Sequence, residues 1–304
     1  MTYQFPHRRE LKFLAKRMTV HPASLRATLF VVCLMMAAFG IKYFLNANLT
    51  YALVDLNQYK DTTSGVYFND NGFSVVFRMD LTEMVLAIPL TYTQIASFLI
   101  VSTLFFLLLA PLRMGAMETY WRILRGDQPA ISQLFQWLTQ VRRLGKAVVV
   151  EFVLQVGVRL IGVLCTAPSL YLYYLFYTNV TSADQLTSQM AMLQSLASFL
   201  AIVAGVFCFW LHCLFLPVRY CLAAHPEYSL GETFRRGLRS MKGYRGRFFW
   251  FRMTMVPWFF LSQLSYNALD LFAMPYTSMA SMLYVQEAAR ERLAKAEADQ
   301  SQAS

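Results

Sequence analysis

The chain has 304 residues, of which 57% are hydrophobic and only 14% charged, and it carries a net charge of +10. Soluble domains average about 25% charged residues, so this chain has too little polar surface to coat a soluble globule. Its solvent is largely lipid, and the placement of its cations, traced below, excludes nucleic acid as the reason for the positive balance.

Residues 1–24 form a basic segment, and the first apolar run covers 25–45. Asn46-Ala47-Asn48 follows that run in place of a small-x-small exit, so it reads as a retained anchor and not as a cleaved signal peptide. Residues 46–82 are the one sizeable outward segment and are acidic, with Asp55, Asp61, Asp70 and Asp80 against Lys60 and Arg78. Val66-Tyr67-Phe68 and Phe73 to Phe77 flank Asn69-Asp70-Asn71-Gly72, which predicts a β-hairpin. A calcium loop would need EF-hand spacing, and turn chemistry explains the same Asp and Asn residues.

The second run, 84–112, ends in Pro111-Leu112-Arg113. Behind it Ile131, Leu134, Phe135, Leu138 and Val141, three and four apart, predict an amphipathic helix. The third run, 147–177, starts after Gly145-Lys146, and the fourth, 190–218, ends in Pro217-Val218-Arg219. Ser229 and Glu232 then form a capping box, with Leu230, Phe234, Leu238 and Met241 on one face and Arg235, Arg236, Arg239 and Lys242 on the other. Gly243 is the expected stop. The last two runs, 248–264 and 269–286, carry Pro257 and Pro275, and composition alone leaves open whether they are two spans or one bent helix. Residues 289–304 form a charged tail, and Glu287 to Lys295 reads as a solvated helical extension.

A hydrophobic hairpin with arginines in its bend is thus written twice. Residues 1–26 hold six Lys or Arg, 113–146 six and 219–247 seven, whereas the intervening loops hold two and none. That alternation puts the N-terminus and both basic loops in the cytoplasm. The expected fold class is all-α: a polytopic transmembrane bundle of about six spans (25–288) with two amphipathic interfacial helices and a small extracytoplasmic loop.

Glu151, Gln155 and Arg159 recur every fourth residue in the third run, and Arg252 lies at similar depth in the fifth. Ionisable groups in a span turn toward a partner, so a Glu151 to Arg252 pair joining the hairpins is expected, with separate snorkelling as the alternative. Arg142, Arg143, Lys146, Arg235, Arg236, Arg239, Lys242 and Arg245 are the expected contacts to anionic phospholipid. The competing reading of the two amphipathic helices is that they brace the bundle. The five cysteines lack CxxC spacing, and Cys208 with His212 has no third ligand, so neither a metal nor a cofactor is expected. No P-loop, dinucleotide fingerprint or nucleophile elbow occurs, and no enzyme is expected.

The stretch Gly237-Leu238-Arg239-Ser240-Met241-Lys242-Gly243-Tyr244-Arg245, followed by Phe248-Phe249, Trp258, Pro275-Tyr276 and Tyr284, resembles a bacterial membrane protein family common in Firmicutes. It is known only as domain of unknown function nine seven five. Pro111-Leu112-Arg113-Met114-Gly115 and Leu134-Phe135 match its P-L-x-x-G and L-F elements, so the resemblance covers roughly residues 1–288. Leu164 to Ser169 departs from it, standing where the family favours an I-P-G turn. The resemblance implies about six helices with both termini inside, separate last spans, and Asp270 near the outer turn. It implies no activity.

The functional expectation is a non-catalytic protein of the cell membrane that organises or senses at the anionic cytoplasmic face. Its expected partners are the bilayer, a membrane protein or a second copy of itself. The alternative is a small transporter or lipid-handling protein built from the duplicated hairpin.

Overall fold

The computed structural model describes residues 6–51, 65–69, 72–79, 84–179, 188–265 and 267–303. Asp55, Lys60, Asp61, Asp70, Asn71 and Asp80 lie outside the described residues. Helices dominate: α1 (Arg8–Thr19), α2 (Pro22–Tyr51), α3 (Tyr92–Leu124), α4 (Ser132–Thr139), α5 (Val141–Phe152), α6 (Val158–Asn179), α7 (Ser188–Ala224), α8 (Leu230–Ser240), α9 (Arg245–Met253), α10 (Val256–Leu264) and α11 (Asp270–Ala303). Four stretches are long and apolar enough to cross a membrane: Pro22–Ile41, Leu99–Leu124, Val141–Leu172 and Met192–Ala224. This is a membrane protein.

Two compact units divide the chain. One comprises residues 38–105 and 159–209. Within it three antiparallel strands, β1 (Gly65–Asn69), β2 (Gly72–Met79) and β3 (Met84–Thr91), pair in the order β1-β2-β3, with Val66 opposite Val75 and Phe77 opposite Leu86. The third strand corrects the second span: Met84–Thr91 was expected to open it, but α3 starts at Tyr92. A continuous apolar segment that can pair with β2 satisfies its backbone there, and an apolar run alone does not tell strand from helix. In the same unit α6 runs straight through Pro168, where the family favours a turn, and the next residue, Ser169, donates to the Ala197 carbonyl of α7 at 2.7 Å.

The other unit comprises residues 1–37, 106–158 and 210–304. Its central element is α11, which buries Ser278 to Leu283, Tyr284, Glu287, Ala288 and Glu291. Glu287, Ala288 and Glu291 are thus packed while Arg290, Leu293 and Lys295 are exposed, so the stretch Glu287 to Lys295 is solvated on one side only, which corrects the expectation for it. One contributor is α1, whose Leu11, Ala15 and Thr19, one turn apart, are buried while Lys12 donates to Thr254 at 2.6 Å. The N-terminal segment is thus a packed helix, capped by a reciprocal box between His7 and Glu10. The fifth apolar run is broken: α9 ends at Met253 and α10 begins at Val256, each only 9 residues long. Aromatic pairs join this broken segment to α11, Phe248 with Tyr284 at 5.4 Å and Trp258 with Tyr276 at 5.7 Å between ring centroids.

Helices form at both places, α4 and α8, and each comes into close approach with a long apolar helix. Gly115 of α3 lies so near α4 that an added Cβ would come within 2.5 Å of the Leu134 carbonyl oxygen; at Gly237 of α8 it would come within 2.7 Å of Val218 Cα in α7. The expected apolar face of α4 is corrected by rotation: Leu134 and Trp137 are buried, whereas Ile131, Phe135 and Val141 are exposed. Burial of Trp137 follows from its buried acceptor, described below. In α8 only half of the capping box forms. Ser229 accepts from the Glu232 N–H at 3.3 Å, but the Glu232 carboxylate goes to Arg236 at 2.6 Å. Gly243, at φ +89°, ends the segment in the left-handed region that glycine alone adopts freely.

Because the atoms approached at Gly115 and Gly237 belong to backbone, Gly115→Ala and Gly237→Ala each cost roughly 1–3 kcal/mol through overpacking. Both should lower the melting temperature in detergent. Gly231→Ala, with open space around it, should leave it unchanged or raise it slightly.

Candidate functional site

The polar interior of the larger unit is organised around two carboxylates. Glu151, at the end of α5, is fully buried. Arg219 of α7 donates through Nη2 to its Oε2 at 2.7 Å, and Arg219 Nε lies 2.6 Å from Oε1 as a charge contact that falls short of hydrogen-bond alignment. Gln155 Nε2 donates to the same Oε2 at 2.5 Å. Between them the helix widens into one π-turn, Val153–Gly157. Such a turn interrupts the four-residue repeat, so Glu151 and Gln155 stay together while Arg159, the first residue of the other unit's α6 portion, is exposed.

The expected Glu151 to Arg252 pair is corrected accordingly. Glu151 takes Arg219, and Arg252, itself buried, donates to Ser281 of α11 at 3.1 Å and lies 4.9 Å from the Phe259 ring centroid. The duplicated Pro-x-Arg signal held the partner: Arg219 was counted with the loop cations, although it sits two residues past Pro217 inside α7.

Glu118 of α3, which sequence reasoning passed over, is the second carboxylate. It accepts from Arg122 at 2.7 Å and from the buried Trp137 indole at 2.7 Å, and Arg143 lies 3.7 Å away. Its oxygens explain why Trp137 faces inward. An acid inside the helical stretch before the first basic bend, one of only two acids in 113–146 with Asp127, was the available signal.

The expected lipid contacts therefore divide into two groups. Arg143 is turned toward Glu118 and Gln136, and Lys146, 7% exposed, donates to the Pro226 and Tyr228 carbonyls at 2.7 and 2.5 Å. These two are internal braces, a correction that follows from the polar acceptors within their reach. Arg142, Arg235, Arg236, Arg239, Lys242 and Arg245 are exposed. Arg236 is engaged by Glu232 and the Tyr228 hydroxyl. At the far end of α11, burial opposes ionisation of Glu291, but hydrogen bonds from Lys295 and Tyr244 outweigh it and hold its carboxyl below the usual range. Among the described residues no three His, Cys, Asp or Glu side chains converge as metal ligands.

The family profile described as a protein of unknown function (DUF975) matches residues 56–291. The chain belongs to this family. The matched range contains both Pro-x-Arg elements, Glu118 and Glu151, and the aromatic pairs that join α9 and α10 to α11. Comparison with curated proteins and with solved structures finds no match to this DUF975 chain.

Removing one partner of a buried ion pair strands the other charge, at a cost of roughly 3–5 kcal/mol, whereas removing both relieves much of it. Glu151→Gln and Arg219→Gln should each lower the melting temperature more than the double variant does, and a thermal-shift double-mutant cycle in detergent checks this. Strict additivity would contradict the pairing.

Proposed function

We propose that this DUF975 protein is a non-catalytic, multi-pass protein of the bacterial cell membrane whose basic ends engage anionic phospholipid at the cytoplasmic face. The observation that carries this reading is the division of the cations. Arg219, Arg122, Arg143 and Lys146 are consumed by internal acceptors, and Arg142, Arg235 and Lys242 are left facing outward, together with Arg245, which is exposed and makes a long 3.5 Å bond to the Leu238 carbonyl. Structural demand accounts for the first group but not for the second. An outward cation near an anionic surface gains about 1 kcal/mol, an attraction that salt weakens. The alternation of Lys and Arg along the sequence supports cytoplasmic placement of both basic loops and both termini. The finer topology is six spans, with α9 and α10 together forming the fifth and the first half of α11 the sixth.

One observation favours transport instead. A buried Glu151, Arg219 and Gln155 cluster at a π-turn, in a chain whose α3, α6 and α7 carry internal prolines, has the components of a gated polar site. Substrate-dependent flux in proteoliposomes that vanishes in Glu151→Gln would favour that reading.

Two experiments test the proposal. In a background without native cysteines, Lys60→Cys should react with an impermeant maleimide in intact cells, while Arg239→Cys and Ala298→Cys should not. Labelling at 298 would remove the six-span topology. Changing Arg142, Arg235, Lys242 and Arg245 to Gln should reduce the phosphatidylglycerol and cardiolipin that co-purify, as read by native mass spectrometry, with the melting temperature unchanged. Equal retention would overturn the lipid-engaging role.

A further inference from the structure

Between α7, α8 and α11 the larger unit contains a groove of about 670 Å³, within the roughly 300–1,000 Å³ typical of small-ligand sites. Its walls change character along its length. Pro217 and Cys221, inside the apolar stretch Met192–Ala224, together with Met282, Val285 and Ala289, make one end apolar. Arg236, Arg239, Arg290 and Arg292 border the groove beyond the end of that stretch.

The charges at this border do not cancel. Arg236 is paired with Glu232 and Arg290 with Glu287, whereas Arg239 and Arg292 have no carboxylate partner among the described residues. Four arginines less two glutamates leave a surplus of two positive charges. Arg292 donates to the Arg239 main-chain carbonyl, which holds the two unpaired arginines side by side. Trp121, in the wall, adds a donor: its indole N–H is buried and has no acceptor among the described residues.

We infer that the groove is a binding site for one anionic phospholipid. One acyl chain lies along Pro217, Met282, Val285 and Ala289, and the phosphodiester sits at Arg239 and Arg292. The argument is the match of gradients. Apolar contact is favourable where the groove runs inside the membrane-crossing stretch, and paired guanidinium groups recognise phosphate oxygens where it leaves that stretch. A zwitterionic lipid such as phosphatidylcholine would offer the same phosphate but bring its own cation, and so would leave the surplus positive charge at this border uncompensated. A helical peptide of a partner protein would need no such concentration of unpaired arginine at one end. The inference rests on the lipid-engaging reading above and assigns it a discrete site distinct from the outward cations.

The test uses the full-length protein in nanodiscs containing phosphatidylglycerol with a diazirine on one acyl chain, with the phosphatidylcholine analogue as comparator. After photolysis, peptide mass spectrometry should place phosphatidylglycerol adducts on Val285, Ala289 and Leu293, and phosphatidylcholine should give about tenfold fewer there. Ala289→Trp, which fills the groove, should abolish those adducts without reducing adducts elsewhere. Leu293→Trp, at an exposed position that the core does not need, should do the same if Ala289→Trp fails to fold. Arg239→Gln with Arg292→Gln should bring the phosphatidylglycerol yield down to that of phosphatidylcholine. Equal labelling by the two lipids, undiminished groove adducts in both Trp variants, or a protein cross-linked in place of lipid would each overturn the site. If groove adducts are missing while the four-Gln variant still loses phosphatidylglycerol, the groove fails and the surface reading stands. Groove adducts without any effect of that variant on retention would instead overturn the surface reading alone.

Discussion

An arginine placed inside a helix that crosses a membrane must find a carboxylate or reach water, because desolvating a lone charge costs far more than packing can return. The structure depends on how this demand is met at Arg219. Its guanidinium crosses from α7 to the buried Glu151 of α5, and that contact ties the third apolar stretch to the fourth. Glu118 does comparable work within α3 and α4 through Arg122, Trp137 and Arg143. The close approaches at Gly115 and Gly237 seat α4 against α3 and α8 against α7.

The larger unit is completed by α11. Its buried face receives α1 and the broken α9 and α10 segment, and Arg252 reaches Ser281 from that segment. The residues that carry the family resemblance meet there: Phe248 stacks near Tyr284, and Trp258 near Tyr276. These residues of the DUF975 pattern are therefore packing residues. In α11 small and polar side chains such as Thr277, Ser278 and Ser281 are buried and let neighbours approach, and α11 is not among the four stretches apolar enough to cross a membrane.

Four stretches long and apolar enough to cross a membrane, and helices at α4 and α8, were legible because hydrophobic runs and three-to-four spacing are properties of the chain itself. Gly243 and the Ser229 cap were legible for the same reason, since backbone conformation and capping chemistry are local. What escaped was everything set by a distant partner. Met84–Thr91 reads as the start of a span until β2 is available to pair with it. Arg143 and Lys146 read as surface cations until Glu118 and the Pro226 and Tyr228 carbonyls stand beside them. The choice of Arg219 over Arg252 for Glu151 also depended on three-dimensional proximity, because Arg252 lies as far past the second basic loop as Glu151 lies past the first, whereas Arg219 stands at the start of that loop.

The central claim is that Glu151 is an ionised carboxylate held by Arg219 inside the protein, and infrared difference spectroscopy reads its protonation state directly. Spectra of the protein and of Glu151→Gln, each in nanodiscs at neutral pH, should differ by the carboxylate stretching pair and by no carboxylic-acid carbonyl band. The same carboxylate bands should shift in Arg219→Gln. A difference spectrum showing a protonated acid at Glu151, or carboxylate bands indifferent to Arg219→Gln, would contradict the account.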